Sequence, residues 1–348
     1  MSSFRLPEPL LEWISFLRGG CRAVFVFCGF CERPLLNQTD KIKGALSRGL
    51  RKGLNSYMWL LKILLPVSLA TALLDYSGWL HQLDFLLEPA MGVLSLPPAA
   101  ALPILIGLTA GVYGCLAAMA VLSLSAEHMT LVTVFVLIAH SLPQEGIIQA
   151  KSGINFVKTT FVRLAAAVLT SLAVAWWLQP APTDAAAAFA GMREVPPLAA
   201  FLQNWGSDML RLCIKILVII FSVMILIELM KAYDVIDVCA KIFEPILKVL
   251  GLHRKAGLLW LTGALFGLGY GGAIIMEQSR ELKLSPEEVE KLQLSIGINH
   301  SMIEDPLLFL PFVISPIYAW VPRLAAAIAV VYLVSLRFKF KAKPSLDG

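Results

Sequence analysis

Several stretches of this chain run for 18 residues or more with almost no charge, and that feature constrains the fold more than any other. The hydrocarbon core of a bilayer is about 30 Å thick, and a helix needs roughly 20 apolar residues to cross it. Inside lipid every backbone N–H and C=O must pair within the protein. The period-2 alternation of a membrane barrel is absent from these stretches, so the spans are expected to be helices. Composition agrees, with 58% hydrophobic and only 15% charged residues, against about 25% charged in soluble domains. The mean hydropathy is +0.75. The expected class is an all-α integral membrane protein.

The apolar stretches come in two similar sets. The first set has a span at 57–80, an amphipathic stretch at 81–95, and apolar segments at 97–124, 129–150 and 156–179. A linker rich in proline and alanine follows at 180–204. The second set has a span at 208–231, an amphipathic stretch at 235–250, and apolar segments at 256–279, 292–315 and 320–337. Short residue markers recur in the same order. Glu88-Pro89 matches Glu244-Pro245, Tyr113-Gly114 matches Tyr270-Gly271, and His140-Ser141 matches His300-Ser301. Arg163-Leu-Ala-Ala-Ala matches Arg323-Leu-Ala-Ala-Ala, 23 residues after the histidine in both sets. Self-similarity of this kind marks an internal repeat. The expected organisation is an amphipathic and basic segment (1–51), a first membrane repeat (52–179), the linker (180–204), a second repeat (205–337) and a basic tail (338–348).

The net charge of +5 does not point to nucleic acid, because lysine and arginine collect at the ends of apolar segments. That distribution reads as topology. His81–Pro98 carries no lysine or arginine, whereas its counterpart carries Lys231, Lys241, Lys248, Arg254 and Lys255. The positive-inside tendency puts the first outside and the second inside. The same rule puts the basic run at 41–52 and the tail inside, and the 180–204 linker outside. An inverted-topology repeat satisfies all four placements. Each half then crosses an odd number of times, although four apolar segments are counted per half. One segment per half is therefore expected to be broken or re-entrant. Of the six cysteines, Cys28 and Cys31 form a lone C-x-x-C without a second pair, which does not specify a metal or redox centre.

Two features carry chemistry. The first is a glycine-rich stretch, Gly263, Gly267, Gly269, Tyr270, Gly271 and Gly272, answered more weakly by Gly107, Gly111, Tyr113 and Gly114. Such density fits either close helix packing or an unwound segment lining a site. The second is a polar break between apolar flanks. It reads Asn299, His300, Ser301, then Glu304, Asp305 and Pro306; the first copy has Ala139, His140, Ser141, Pro143, Gln144 and Glu145. A helical break would place His300 beside Glu304, and Ser301 beside Asp305. Pro143 and Pro306 are expected to kink the chain. Ionisable groups within apolar segments usually face a cavity or pathway. Glu277, soon after the glycines, is a further candidate for the same cavity, while Arg163 and Arg323 are read as snorkelling helix anchors or partners of a carboxylate. No G-x-S-x-G, H-E-x-x-H or Walker motif is present, so no enzyme is expected.

The segments YGGAIIMEQSRELKLSPEE and GINHSMIEDPLLFLPF, with the second Arg-Leu-Ala-Ala-Ala, resemble membrane proteins that carry the nucleoside-recognition or Gate domain. That group includes the spore maturation proteins A and B, and related segments occur in concentrative nucleoside transporters and in the membrane part of the ferrous-iron transporter B. The resemblance covers 52–337, one unit per half. It implies paired broken segments gating a central site, lined by Asn299, His300, Ser301, Glu304 and Asp305 and completed by His140, Ser141, Gln144 and Glu145. The first copy departs at Ala139, Gln144 and Glu145, which puts equal contributions from the halves in doubt. No GTPase domain accompanies the membrane part. The expected function is a multi-pass permease of the bacterial inner membrane for a small polar solute. A nucleoside is one such solute, and the expected partners are the lipid bilayer and the solute. No cofactor is expected. A coupling proton or sodium ion is left open, as is a homo-oligomer. Divalent-metal transport through His300, Glu304, Asp305 and His140, and a non-transporting scaffold or sensor, are the rival readings.

Overall fold

The computed structural model describes residues 38–82, 84–180, 196–233, 235–252, 256–265, 267–268, 275, 284–312 and 315–341. Among them every regular element is helical. The first half contains α1 (Gln38–Tyr76), the short α2 (Trp79–Gln82), α3 (Asp84–Val93), α4 (Ala101–Ala110), α5 (Val112–Met119), α6 (Ala126–Ala139), α7 (Leu142–Lys151) and α8 (Phe156–Leu178). The second contains α9 (Leu198–Ala232), α10 (Val235–Val249), α11 (Ala256–Leu265), α12 (Pro286–Ile298), α13 (Glu304–Leu308) and α14 (Pro316–Lys341). Five helical stretches are long and apolar enough to cross a membrane: Thr39–Tyr76, Ala126–Lys151, Phe156–Leu178, Leu198–Ala232 and Pro316–Phe340.

The longest helices are α1 and α9, the first of each half. They run antiparallel, in contact from Tyr76 and Phe201 at one end to Arg48 and Glu228 at the other. Small residues let the backbones approach, as in many membrane helix pairs. Gly49 and Gly53 lie directly against Ile225 and Phe221. Tyr57 Oη donates to the Cys213 carbonyl at 3.2 Å. Glu228 is buried and accepts from Arg48 Nε at 3.0 Å and Lys52 Nζ at 2.7 Å.

Helix α6 occupies the centre. Leu131 through Ala139 are buried, and α8 and α14 pack against it. Its periphery is different. Phe161, Leu169, Trp176 and Trp177 on α8 and Leu210, Ile214 and Val218 on α9 are exposed. So much outward apolar surface would be a liability in water and is what lipid contact requires.

The expected apolar segment at 97–124 is not one helix. A 3-10 turn at Pro98–Ala100 leads into α4, and the chain doubles back at Gly111 into α5. Gly107 then lies against Cys115, and Gly114 against Ile106. At 1.5 Å per residue each arm is only about 12–15 Å long, too short to span about 30 Å. Gly111 permits the turn with φ of 90°, a value unfavourable for residues with a Cβ. The segment of α3 and Pro98–Ala110 is bent by 83°.

Candidate functional site

Helix α6 stops at His140, and α12 stops at Asn299 just before His300. In both places the next serine takes a left-handed conformation, with φ of 48° at Ser141 and 47° at Ser301. For a residue with a Cβ this backbone costs roughly 1–2 kcal/mol, so the surroundings must hold it. Two glycines do so in each half. Ser141 N donates to Gly107 O at 3.0 Å, and Ser301 N to Gly263 O at 3.4 Å. The Ser141 hydroxyl packs on Gly111, where a Cβ would lie 2.6 Å from Oγ, and Ser301 packs on Gly267 in the same way.

Ending a helix within the protein leaves its last carbonyls without partners. Arginine supplies them in both halves. Arg163, on α8, donates from Nε to Ile138 O at 3.0 Å and from Nη2 to His140 O at 2.8 Å. Arg323, on α14, donates from Nε to Ile298 O at 3.3 Å and from Nη2 to His300 O at 2.7 Å. Both side chains are fully buried. The snorkelling expectation is corrected: each guanidinium points inward and satisfies a helix end, where its charge also meets the negative pole of the helix. Arg163 additionally pairs with Glu145, Nη1 to Oε2 at 2.8 Å.

The two breaks meet. His140 Nε2 and His300 Nε2 are 3.1 Å apart, although 160 residues separate them. Glu145 Oε1 lies 3.1 Å from His300 Nε2 and 3.4 Å from His140 Nε2. Asp305 Oδ2 lies 3.7 Å from His140 Nε2. All four residues are buried. Each imidazole is aimed by its other nitrogen: His140 Nδ1 sits 3.0 Å from Val136 O, and His300 Nδ1 3.0 Å from Ile296 O.

The expected pairings along the second break are corrected. His300 faces Glu145 of the other half, not Glu304, and Ser301 faces Gly267. The reason is the break itself: residues 299–303 are not helical, so the helical side-chain spacing does not carry His300 to Glu304, although Asp305 N still donates to Ser301 O at 3.3 Å. Glu304 reaches instead to Tyr113 of the first half, accepting from its hydroxyl at 2.8 Å. Asn299 is buried beside the centre; its Nδ2 lies 3.7 Å from Met302 Sδ, and its Oδ1 makes no hydrogen bond among the described residues. Pro143 and Pro306 do not make the breaks. Each lies in the first turn of the helix that follows, a position where proline is tolerated.

A cavity of about 130 Å³ adjoins His140, lined by Val112, Tyr113, His140, Ser141, Gln144, Glu145, Ile148 and Asp305. It brings Gln144 and Ser141 to the same space as the cluster. Tyr270, Gly271 and Glu277 lie outside the described residues. Gln149 joins the two halves close to this centre. Buried on α7, it donates from Nε2 to Gln293 O of α12 at 2.5 Å and accepts from Thr159 at 2.8 Å. A lone glutamine near a helix end gives no signal of such a role. The two arginines did carry one, their equal spacing from the histidines.

Comparison with known proteins places the chain in a family. The family described as nucleoside recognition, the Gate domain, matches the chain at 57–175 and again at 213–334. The chain is 24% identical over 306 residues to the membrane protein YvoD of Bacillus subtilis (strain 168), a match covering 86% of this chain and 96% of that protein. No solved structure matches it. With more than half of its length matched, the chain belongs to the nucleoside-recognition (Gate) family and is a membrane protein.

Proposed function

We propose that the protein is a multi-pass transporter that moves a small polar solute through the centre where its two broken helices meet. The observation that carries this is the contact of His140 with His300 at 3.1 Å, with Glu145, Asp305 and a polar cavity beside it. Buried ionisable groups in a membrane protein are costly and mark solute or ion pathways. Helices broken at such a site are a recurrent device of secondary transporters. The cavity, at about 130 Å³, is below the roughly 300–1,000 Å³ of typical ligand pockets. A solute of nucleoside size therefore requires the site to widen during transport. The family description names nucleosides, which makes them the first solutes to assay.

The same reading makes the halves an inverted repeat. Equivalent residues in mutual contact are what a twofold axis produces, and His140 and His300 are equivalent. The first helices of the halves, α1 and α9, run antiparallel. Their contacts also agree with the loop charges. Basic Arg48 and Lys52 meet Glu228, near Lys231, at one end, and Tyr76 Oη donates to Pro196 O at the lysine-poor other end. By the positive-inside rule the basic end faces the cytoplasm, here of a bacterium.

The test is uptake of a nucleoside panel into proteoliposomes holding the full chain. Wild type is expected to accumulate a member of the panel above empty vesicles. Asp305→Asn and Glu145→Gln are expected to lower the rate at least about tenfold, equivalent to about 1.4 kcal/mol. Undiminished uptake in both variants would separate the centre from transport, and no flux by wild type for any small polar solute would favour the scaffold reading.

A further inference from the structure

The centre contains an arrangement of lone pairs that asks for a cation. A backbone carbonyl only accepts hydrogen bonds, so the Nδ1 atoms facing Val136 O and Ile296 O carry the protons. In the neutral imidazole the other nitrogen then presents a lone pair. Two such nitrogens face each other at 3.1 Å, and a carboxylate oxygen of Glu145 completes a triangle with sides of 3.1, 3.1 and 3.4 Å. Three acceptors converge with no donor among them.

We infer that His140, His300 and Glu145 form a three-ligand binding site for one divalent transition-metal ion that clasps the two halves together, with Asp305 beside it. A tetrahedral ion with bonds of roughly 2.0–2.1 Å holds its ligands roughly 3.3 Å apart, which is the size of this triangle. Asp305 Oδ2 is buried, without a hydrogen-bond partner, and lies 3.7 Å from His140 Nε2. The triangle itself leaves the fourth position open to water, as in zinc sites with three protein ligands. The second shell is also of the metal-site type. Each imidazole is oriented by an Nδ1–H to carbonyl bond, and Glu145 is held through its other oxygen by Arg163. Such partners fix tautomer and orientation in metal centres.

The donor set selects the ion. Two imidazole nitrogens favour Zn²⁺, Fe²⁺ or Co²⁺ over Mg²⁺ and Ca²⁺, which take oxygen ligands. Glu145 as a ligand and Asp305 beside it balance the charge of a divalent ion held by two neutral imidazoles. His140, Glu145 and Asp305 line the adjoining cavity, which offers an entry path. One repeat supplies His140 and Glu145 and the other His300, so an ion here joins the halves. This inference rests on the reading of the two breaks as one centre, but its measurement is binding, not flux.

The full chain, purified in detergent and stripped with a chelator, is titrated with Co²⁺. Binding of about one ion per chain, with the visible absorption of a four-coordinate site, is expected, together with a rise in unfolding temperature. Cobalt-edge X-ray absorption on the wild type should count two imidazole ligands, a readout that does not depend on any variant folding. His140→Gln and His300→Gln, where they elute as folded protein, should lose the absorption. A wild type that binds no Co²⁺, a site with fewer than two imidazoles, or binding unaffected in both folded variants each overturns the inference. Metal binding without solute flux would count against transport alone. Flux by a protein that binds no metal would count against the metal site alone.

Discussion

Arg163 and Arg323 close the open ends of α6 and α12 with the same pair of hydrogen bonds, yet they are not equivalent in what they leave behind when removed. Arg163 also pairs with Glu145 at 2.8 Å. Deleting one partner of a buried ion pair costs about 3–5 kcal/mol, whereas a buried acceptor left without its bond costs about 1–3 kcal/mol. Arg163→Met should therefore destabilise the protein more than Arg323→Met, by a margin of about 1–2 kcal/mol, as read from denaturant unfolding in micelles. Equal losses would mean that the Glu145 pair contributes nothing. Across the halves, Tyr113 and Glu304 are joined by a hydrogen bond of 2.8 Å. A double-mutant cycle with Tyr113→Phe and Glu304→Gln should return a coupling of about 0.5–3 kcal/mol, and additive effects would place the two residues apart.

At the scale of elements, the structure depends on two helix breaks that are held open by glycine. Gly111 has φ of 90° and carries the Ser141 hydroxyl against it, so both backbone and space oppose a side chain. Gly92, inside α3, has open space around its Cβ position. Gly111→Ala should destabilise by more than about 1 kcal/mol. Gly92→Ala should be neutral or stabilising by up to about 1 kcal/mol. Thermal unfolding of the two variants side by side checks the contrast. The breaks were legible in the sequence because polar His-Ser pairs interrupt apolar runs twice. Their mechanism was not. Proline suggested the kink, but Pro143 and Pro306 begin the following helices, and the left-handed serines have no signature of their own. The turn between α4 and α5 was signalled by Gly107, Gly111 and Gly114 and by the expectation of one broken or re-entrant segment per half, but not located, because hydropathy at 97–124 stays high on both sides of Gly111. An apolar hairpin and an apolar span look alike to that measure.

At the scale of the whole molecule, the repeat was the readable part, since His140, Ser141 and Arg163 recur at a constant offset of 160 residues. What a single sequence does not encode is which residues meet across that offset. Local spacing pointed His300 to Glu304, and the tertiary contact is with Glu145. The inverted arrangement proposed above makes a topological prediction. Reporter fusions in the 181–195 segment and after residue 341 should report opposite sides of the membrane, and the same side for both would contradict it. The central claim is that the two breaks meet, and it is tested most directly by covalent linkage. Cysteines are placed at 140 and 300 in a chain otherwise free of cysteine, with a protease site inserted in the 181–195 segment. After treatment with a short, rigid bis-maleimide and cleavage, the two halves should migrate together on a denaturing gel, and each single-cysteine control should separate. Halves that separate in the double-cysteine protein, with both thiols shown to have reacted, would contradict the meeting of His140 and His300.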